Sequence, residues 1–244
     1  MKAYGKTDIG RQRSINQDCF FLTTKPIGIF PNLFIIADGM GGHKAGDRAS
    51  RQSVDKFVEY AQNARSATTI QAIEDGILYI NHIIREEAAS NEDFAGMGTT
   101  FIVAFIEGDT LHVANIGDSR LYYAEETMTQ VTEDHSYVAA MVRAGEITRE
   151  QARNHPDRNI ITRAIGAIDA VEADFFEIDM KPGGRVVICT DGLSNMVHEN
   201  VIYQEVMNKP VDEAAESLIR LANENGGTDN STVIVIDPYG EEEA

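Results

Sequence analysis

The sequence predicts an α+β fold in which two stacked, largely antiparallel sheets carry helices on their outer faces. Three observations support this prediction: eight short β-rich runs, two very short glycine-containing turns between such runs, and three longer segments with helical periodicity. Eight or more strands are too numerous for one open sheet beside these helices. At 244 residues the chain can bury a large core, and we expect one domain over residues 1–238 followed by an acidic tail over 239–244.

The strand predictions rest on runs of β-branched, aromatic and aliphatic residues. Gly, Pro, Asn or Asp residues stand at the ends of most of these runs. Segments 107–110 and 181–184 each join two such runs, and their glycines can adopt the positive φ of a tight hairpin turn. Much of the sheet structure should therefore be antiparallel. The runs are residues 18–23, 33–37, 99–107, 110–115, 120–124, 173–180, 185–189 and 232–237.

Three segments place apolar side chains three or four residues apart, which is typical of helices with one buried face. The middle segment is a stripe of isoleucines that spans barely two heptads, so it indicates a helix facing the core rather than a coiled coil with a partner. The stripes are Val54, Phe57, Val58 and Ala61; Ile70, Ile73, Ile77, Ile80 and Ile84; and Ala214, Leu218, Leu221 and Ala222.

Residues 135–167 depart from the strand pattern. Short helical patterns at 137–144 and 149–154 precede the sequence His155-Pro156-Asp157-Arg158. Two interpretations stay open: a surface insertion that only joins strands, or a lid that contacts a substrate, since long structured connections often carry function.

The chain carries 39 acidic and 21 basic side chains, which gives a formal net charge of −18. This charge argues against non-specific binding to nucleic acid or to an anionic membrane surface. The sequence starts without an apolar signal segment, and no stretch approaches the roughly 18 apolar residues of a membrane span, so we expect a cytoplasmic protein. Cys19 and Cys189 lie far apart in apolar runs, which indicates buried, reduced thiols rather than a disulfide or a zinc site.

Four aspartates stand at the ends of apolar runs: Asp38, Asp118 and Asp191 follow such runs, and Asp229 precedes one. The strand ends of a sandwich gather along shared edges, so these side chains can converge. Two carboxylates about 4 Å apart repel by roughly 4 kcal/mol at an effective dielectric constant near 20. Convergence therefore requires either raised pKa values or divalent cations. Taken singly, each aspartate is also a common turn residue.

The ligand chemistry favours particular cations. Carboxylate oxygens without His or Cys nearby in sequence favour Mg²⁺, Mn²⁺ or Ca²⁺ over zinc. The segment Gly39-Met40-Gly41-Gly42 adds a flexible loop whose carbonyl groups can serve as further ligands. A cation site alone does not separate a calcium-binding module from an enzyme. Arg13, just ahead of a predicted strand, favours an enzyme if its guanidinium binds phosphate oxygens, and a solvated surface charge is the alternative.

Eight short motifs follow one another along the chain, and each is weak when taken alone. They are Arg13-x-x-Asn16-Gln17-Asp18, Asp38-Gly39-Met40-Gly41-Gly42-His43, Gly98-Thr99-Thr100, Ala114-Asn115-Ile116-Gly117-Asp118-Ser119-Arg120, Asp134-His135-Ser136, Thr162-Arg163-Ala164-Ile165-Gly166, Thr190-Asp191-Gly192-Leu193 and Gly227-Thr228-Asp229-Asn230-Ser231-Thr232. In this order they resemble the type 2C family of metal-dependent protein phosphatases, particularly its compact bacterial members, over essentially the whole chain.

The resemblance implies two stacked antiparallel sheets flanked by helix pairs, with a flap subdomain at about 136–166 and two Mn²⁺ or Mg²⁺ ions at one edge. By analogy Asp38 bridges the two metals, the Gly39 carbonyl binds one of them, and Asp191 and Asp229 complete the other. Asp118, together with Asp191, corresponds to a third and weaker metal site.

The resemblance also implies roles around the metals. Arg13 binds the substrate phosphate, Asp18 acts through metal-bound water from outside the ligand set, and Asn230 orients Asp229 or its waters. The implied reaction is hydrolysis of phosphoserine and phosphothreonine on proteins by metal-activated water, which reverses the action of serine/threonine kinases.

Two positions depart from the family pattern. Gln17 stands where many members have Glu, which removes one negative charge beside the metals. Met40 stands where animal members carry a histidine proposed as the general acid, so this chain cannot use that residue. His43 lies nearby, but a single loop histidine is usually a surface residue, and the group that protonates the leaving oxygen stays unassigned.

Two other classes of protein compete with this interpretation. A cysteine phosphatase is unsupported, since neither Cys19 nor Cys189 is followed by a glycine-rich, arginine-containing phosphate loop. A pseudophosphatase that only binds phosphoproteins or metal is the alternative, and it would be expected to have lost at least one of Asp38, Asp191 or Asp229. The expected partners are phosphorylated proteins, among them substrates of a serine/threonine kinase and the kinase itself, and we expect a monomer.

Overall fold

Two antiparallel sheets packed face to face form the centre of the protein. The computed structural model describes residues 1–42 and 45–240. The strands, in chain order, are β1 Lys2–Asp8, β2 Asp18–Thr23, β3 Leu33–Met40, β4 Gly98–Thr99, β5 Phe101–Glu107, β6 Thr110–Ile116, β7 Arg120–Ala124, β8 Met128–Gln130, β9 Asp174–Asp179, β10 Arg185–Cys189 and β11 Ser231–Asp237. Over the described ranges one sheet has the order β1-β11-β10-β7-β8, and the other has the order β2-β3-β5-β6-β9 with β4 beside β3.

Helices cover the outer faces of both sheets. They are α1 Ala45–Asn63, α2 Thr69–Ser90, α3 Tyr137–Arg143, α4 Arg149–Arg153, α5 Asp191–Ser194, α6 Glu199–Asn208 and α7 Val211–Glu224, with a 3₁₀ turn at Glu92–Phe94. α1 and α2 pack together on the β3 side, and α6 and α7 pack together on the β11 side. This arrangement confirms the predicted sandwich of two sheets with helices outside. No helix in the described part of the chain is long and apolar enough to cross a membrane.

Side-chain alternation along the central strands builds separate apolar cores. In β3, Phe34 and Ile36 face the other sheet, where they join a core that includes Ile188 of β10. The intervening Ile35 faces the opposite way and packs with the residues of α1 and α2. Because neighbouring strand residues point to opposite faces, a continuous apolar run supplies both cores at once.

Four of the five isoleucines in the α2 stripe are buried, as the periodicity predicts, and Ile70 is partly buried. Ile73, Ile77 and Ile80 belong to the core between α1, α2 and the β3 sheet. The helix begins at Thr69 because the Thr68 side chain accepts a hydrogen bond from the Gln71 amide at 3.1 Å, a regular N-cap. The stripe therefore fixes how this helix lies on the sheet.

Two expectations about connections and element ends are wrong. Residues 181–184 do not close a hairpin, because β9 and β10 lie in different sheets; the turn instead carries the chain from an edge strand of one sheet to a central strand of the other. β3 does not end at residue 37 but continues to Met40, so Asp38 lies inside the strand. The other predicted turn does form a hairpin, with Glu107 opposite Thr110 and Gly108 at φ 59°.

The segment 136–166, which we call the flap segment, leaves the sheets and returns to nearly the same place. Its ends are joined where Ser136 bridges Ile161, and the Tyr137 amide donates to the Ile160 carbonyl at 2.8 Å. α3 and α4 lie between these ends. Of the expected tail, residues 241–244 and likewise His43 lie outside the described residues. The Tyr239 hydroxyl lies 3.0 Å from the Asp109 carboxylate, so this residue is held against the fold.

Candidate metal centre

The candidate site lies where one end of β2 and β3 meets the other sheet. Asp18 is the first residue of β2 and pairs directly opposite Asp38 of β3. Opposed residues of antiparallel strands have Cβ atoms about 4.5–5.5 Å apart on the same face. Strand register alone therefore sets two carboxylates side by side.

Asp18 ties the two sheets together. Its Oδ2 atom accepts hydrogen bonds from the hydroxyls of Thr190, at 2.9 Å, and Thr232, at 2.7 Å, which follow β10 and lie in β11 respectively. Its Oδ1 atom is buried without a hydrogen-bond partner among the described residues. Burial raises the pKa of the Asp18 carboxyl to about 7, and the charges of Asp191 and Asp229 add to that rise. A buried carboxylate oxygen without a donor is suited to binding a cation or a hydrogen-bond donor.

Asp38 is at the centre of the acidic cluster. Its amide donates to the Thr100 hydroxyl at 2.9 Å, and its carbonyl accepts from the Thr100 amide at 2.9 Å, so its main chain is fixed. Burial raises the pKa of the Asp38 carboxyl well above its usual range. The charges of four neighbours contribute to the same rise, and these are Asp18, Asp191, Asp118 and Asp229.

Asp191 and Asp118 are two further members of the acidic cluster. Asp191 is the first residue of α5, and its Oδ2 accepts a hydrogen bond from Asn195 Nδ2 at 3.1 Å. Burial and then the Asp229 charge raise the pKa of Asp191, whereas a hydrogen bond with the Asp38 carboxyl lowers it by a smaller amount. Asp118 follows β6 and is 7% exposed; burial and then the Asp191 charge raise its pKa well above its usual range. Convergence thus carries an electrostatic cost, as the sequence leads us to expect.

Arg13 and Asp229 form the outer rim of the site. Arg13 Nη2 lies 2.7 Å from Asp229 Oδ2, and the arginine side chain is 49% exposed. The guanidinium therefore stands beside the acidic cluster with most of its donors facing solvent. One of its donors is therefore engaged by the Asp229 carboxylate.

Asn230 contacts both Asp229 and the loop that carries Arg13. Its main-chain amide, not its side chain, donates to Asp229 Oδ1 at 2.8 Å. The side chain instead accepts from the Gln17 amide at 2.9 Å and donates to the carbonyls of Ile9 and Ile15. Asn230 consequently holds the loop that carries Arg13, because these main-chain groups have no strand partner there.

Gly39 sits in a position where only glycine fits. Its amide donates to the Gln17 carbonyl at 3.0 Å, and a Cβ atom added at Gly39 would overlap the Gly46 carbonyl oxygen. The start of α1 therefore packs directly on the main chain that follows Asp38. This contact keeps the Gly39 peptide beside the carboxylates.

The donor set suits a hard divalent cation. Among the described residues no group of three or more His, Cys, Asp or Glu side chains forms a ready-made cage for a metal ion. Neighbouring carboxylate charges nevertheless contribute to the raised pKa values of Asp18, Asp38, Asp118 and Asp191, and Asp18 Oδ1 is buried without a partner among the described residues. Bound Mg²⁺ or Mn²⁺ would draw such carboxylates together and remove their mutual repulsion, so the residues fit these metals.

Sequence reasoning assigned no role to several residues that hold the site. The hydroxyls of Thr190 and Thr232 bind Asp18, and Asn195 binds Asp191. The Thr100 and Ser119 hydroxyls lie 2.8 Å apart beneath the Asp38 main chain. The contact between Asn195 and Asp191 could be predicted from the sequence, because the two residues are four apart, which is helical spacing. The threonine contacts could not, because they depend on the pairing of strands that are distant in the chain.

Comparison with known proteins identifies the family of this chain. The protein phosphatase 2C family profile matches residues 7–228. The chain belongs to this family, whose members are metal-dependent phosphatases.

Individual relatives match over nearly their full length. The chain is 38% identical over 248 residues to the serine/threonine phosphatase stp of Listeria innocua, covering 97% of this chain and 96% of that protein. Its fold is similar to the crystal structure of the serine/threonine phosphatase Stp1 from Staphylococcus aureus, with a TM-score of 0.90, 32% identity and 98% and 95% of the two chains covered. It is also similar to the catalytic domain of the phosphatase PstP solved in complex with two manganese ions, with a TM-score of 0.84, 31% identity and 96% of each chain covered.

Proposed function

We propose that this protein is a metal-dependent phosphatase that removes phosphate from phosphoserine and phosphothreonine residues of proteins. One observation carries the proposal: five aspartates from separate parts of the chain converge at one edge of the sandwich in a member of the protein phosphatase 2C family, and burial raises the pKa values of four of them. Such a cluster is unfavourable without cations and favourable with them.

The metal ligands that we propose are the side chains of Asp38, Asp191 and Asp229 and the carbonyl of Gly39, for two Mn²⁺ or Mg²⁺ ions. We assign Asp118, with Asp191, to a third and weaker site. When bound, the ions would supply a nucleophile from water at neutral pH and neutralise the phosphoryl oxygens. Support for two ions comes from the two manganese ions in the PstP complex.

The protein's own groups have separate tasks in this proposal. Arg13, 49% exposed beside Asp229, exchanges that carboxylate for the substrate phosphate and orients it. Asp18 is positioned by Thr190 and Thr232, and its unpartnered Oδ1 can accept a hydrogen bond from a water molecule in the site. Asn230 fixes the Arg13 loop.

The binding-only alternative has less support. A pseudophosphatase would be expected to lack a ligand of the acidic cluster, yet Asp38, Asp191 and Asp229 are all present, and the charges of the other two raise the pKa of Asp38. No observation on the described residues favours a module without turnover. We therefore propose an intact hydrolytic site.

The test is hydrolysis of matched phosphoserine, phosphothreonine and phosphotyrosine peptides, with Mn²⁺ or Mg²⁺ and with a chelator. We expect metal-dependent release of phosphate from the first two peptides, and an Asp38→Asn variant should lose more than about 100-fold in kcat/KM. Asp55→Asn, an exposed carboxylate on α1, is the matched control. Activity that survives the chelator, or that Asp38→Asn leaves intact, would contradict the proposal.

Several finer assignments are part of the same proposal. We propose that residues 1–238 act as one catalytic domain that includes the flap segment, and that a serine/threonine kinase and its substrates are the partners. A monomer is supported by the scatter of exposed large apolar side chains over separate elements of the described chain. Action in the cytoplasm is supported by Cys19 and Cys189, which are both free thiols.

A further inference from the structure

A cavity of about 360 Å³ lies between the flap segment and the β7–β8 edge of the first sheet. Asp118 and Asp191 of the acidic cluster line one end of it, and α3 and α4 of the flap segment line the other. A volume of this size is in the range of sites that hold a small ligand or a few side chains of a peptide. The cavity is therefore the direct extension of the candidate metal centre.

Positive charge is concentrated on the flap side of this cavity. The flap segment carries five arginines and three acidic residues, a net charge of +2, in a chain whose net charge is −18. The arginines that line the cavity are Arg120, Arg143, Arg149, Arg153 and Arg158. An acidic protein thus places several arginines next to its candidate active site.

Only some of these arginines are neutralised by neighbouring carboxylates. Arg120 Nη2 lies 2.7 Å from Asp134, and Arg143 Nη1 lies 3.7 Å from Glu133. The remaining three, Arg149, Arg153 and Arg158, have no carboxylate partner among the described residues.

Arg153 donates to the Ser194 carbonyl at 3.1 Å, and Arg149 and Arg158 are exposed. Five acidic residues also line the cavity. Asp134 and Glu133 pair with Arg120 and Arg143, and Asp118 and Asp191 belong to the proposed metal centre. Among the described lining residues this leaves Glu199 to balance three guanidinium groups.

We infer that this cavity is an anion subsite that binds a second negative group, a carboxylate or a second phosphate, on the peptide that carries the phosphoresidue. The inference rests on the proposed function, because the phosphoresidue itself would occupy the acidic end. An extended peptide advances about 3.3–3.6 Å per residue, so neighbouring residues pass over the cavity while the phosphate stays at the metal centre. Guanidinium groups bind both carboxylates and phosphates through paired donors.

The substrate class that follows is a phosphoserine or phosphothreonine in an acidic or multiply phosphorylated stretch. A partly solvated arginine–carboxylate pair contributes a factor of about 2 to 5. With two arginines engaged, we expect kcat/KM to be about 4- to 25-fold higher for a peptide with acidic flanks than for a neutral one. The gain should appear in KM, because these contacts are equal in the ground and transition states, and it should shrink at high salt.

The experiment compares three phosphothreonine peptides of the same length: one with neutral flanks, one with glutamates and one with a second phosphothreonine. The variants are Arg149→Ala/Arg158→Ala and a control, Arg65→Ala. Arg65 is exposed beyond the end of α1, whose 19 residues extend about 28 Å from the metal edge. Hydrolysis of p-nitrophenyl phosphate, which has no flanking residues, is measured for every protein.

We expect the double variant to lose the preference for both anionic peptides while the control and all p-nitrophenyl phosphate rates stay unchanged. A gain with only one of the two anionic peptides supports the subsite and identifies the anion. Equal kcat/KM for all three peptides, or a preference that survives in the double variant, would overturn it.

A loss of every hydrolytic activity would instead contradict the proposed function. Fluorescence anisotropy of the same peptides on Asp38→Asn protein then decides the subsite separately, because it needs no turnover. Tighter binding of the anionic peptides that the added Arg149→Ala/Arg158→Ala substitutions abolish supports the subsite, and equal binding of all three overturns it.

Discussion

Replacing Asp18 by asparagine should stabilise the metal-free protein, and the gain should grow as the pH rises from 5 to 8. Asp18 is 2% exposed, and its carboxyl has a pKa raised from 3.8 to about 7, first by burial and then by the charges of Asp191 and Asp229. A carboxyl whose folded-state pKa lies above its unfolded value stabilises the fold below the unfolded pKa. That contribution is lost as the pH rises through the folded pKa.

The size of the effect follows from this shift. Each pKa unit corresponds to about 1.4 kcal/mol, so the wild-type protein loses about 4 kcal/mol between pH 4 and pH 8 through this one group. About 3 kcal/mol of that loss falls between pH 5 and pH 8. Asparagine stays neutral, and its oxygen can still accept from Thr190 and Thr232. Its amide nitrogen replaces the unpartnered Oδ1 and can donate to the neighbouring carboxylates.

The assay is urea unfolding of wild type, Asp18→Asn and the control Asp55→Asn in a chelator at pH 5, 6, 7 and 8. The difference in unfolding free energy between Asp18→Asn and wild type should widen by about 3 kcal/mol across this range, and the control should run parallel to wild type. Parallel curves for Asp18→Asn and wild type would refute the view that Asp18 is buried among like charges.

Three other predictions follow from the same structure. Mn²⁺ should raise Tm in scanning fluorimetry more at pH 8 than at pH 5, because protons compete with the cation for the same carboxylates, and equal shifts would argue against a carboxylate site. Gly39→Ala should cost about 1–3 kcal/mol in urea unfolding because its Cβ overlaps the Gly46 carbonyl, whereas Gly42→Ala, with open space around the Cβ, should be near neutral. Asn81→Ala removes three hydrogen bonds to the main chain at and after the end of the flap segment, so it should lower the unfolding free energy by about 3 kcal/mol. The exposed control Asn63→Ala should lower it by less than about 0.5 kcal/mol. A similar loss for both variants would contradict this role of Asn81.

Strands with their own apolar pattern could be predicted from the sequence, and strands that depend on a neighbour could not. The runs at β2, β7 and β10 match the structure at both ends, because each carries enough β-branched, aromatic or aliphatic residues to define itself. β1 has the sequence Lys-Ala-Tyr-Gly-Lys-Thr-Asp, with little alternation, and it exists through its pairing with β11 over seven residues. β8 spans only three residues beside β7.

In the helix pair on the β11 side, likewise, one helix could be predicted from the sequence and the other could not. α7 has a clear apolar stripe, while α6 buries only Ile202 and Val206 along ten residues, and its pattern is too weak to predict alone. The turn at 181–184 was recognisable as a turn from its glycines. Which sheet the next strand enters depends on packing between sheets, which a local turn sequence does not encode.

The chemistry of the candidate site was determined by the sequence, since the aspartates, their glycine neighbours and their order along the chain identify a family of metal-dependent phosphatases. The tertiary structure alone decided which groups meet. Register set Asp18 opposite Asp38, the junction of the sheets gave Asp18 its two threonine donors, and the Asn230 side chain went to the Arg13 loop. These outcomes depend on contacts between residues far apart in the chain, because charge, burial and hydrogen bonding act over a few ångströms in space and take no account of distance along the sequence.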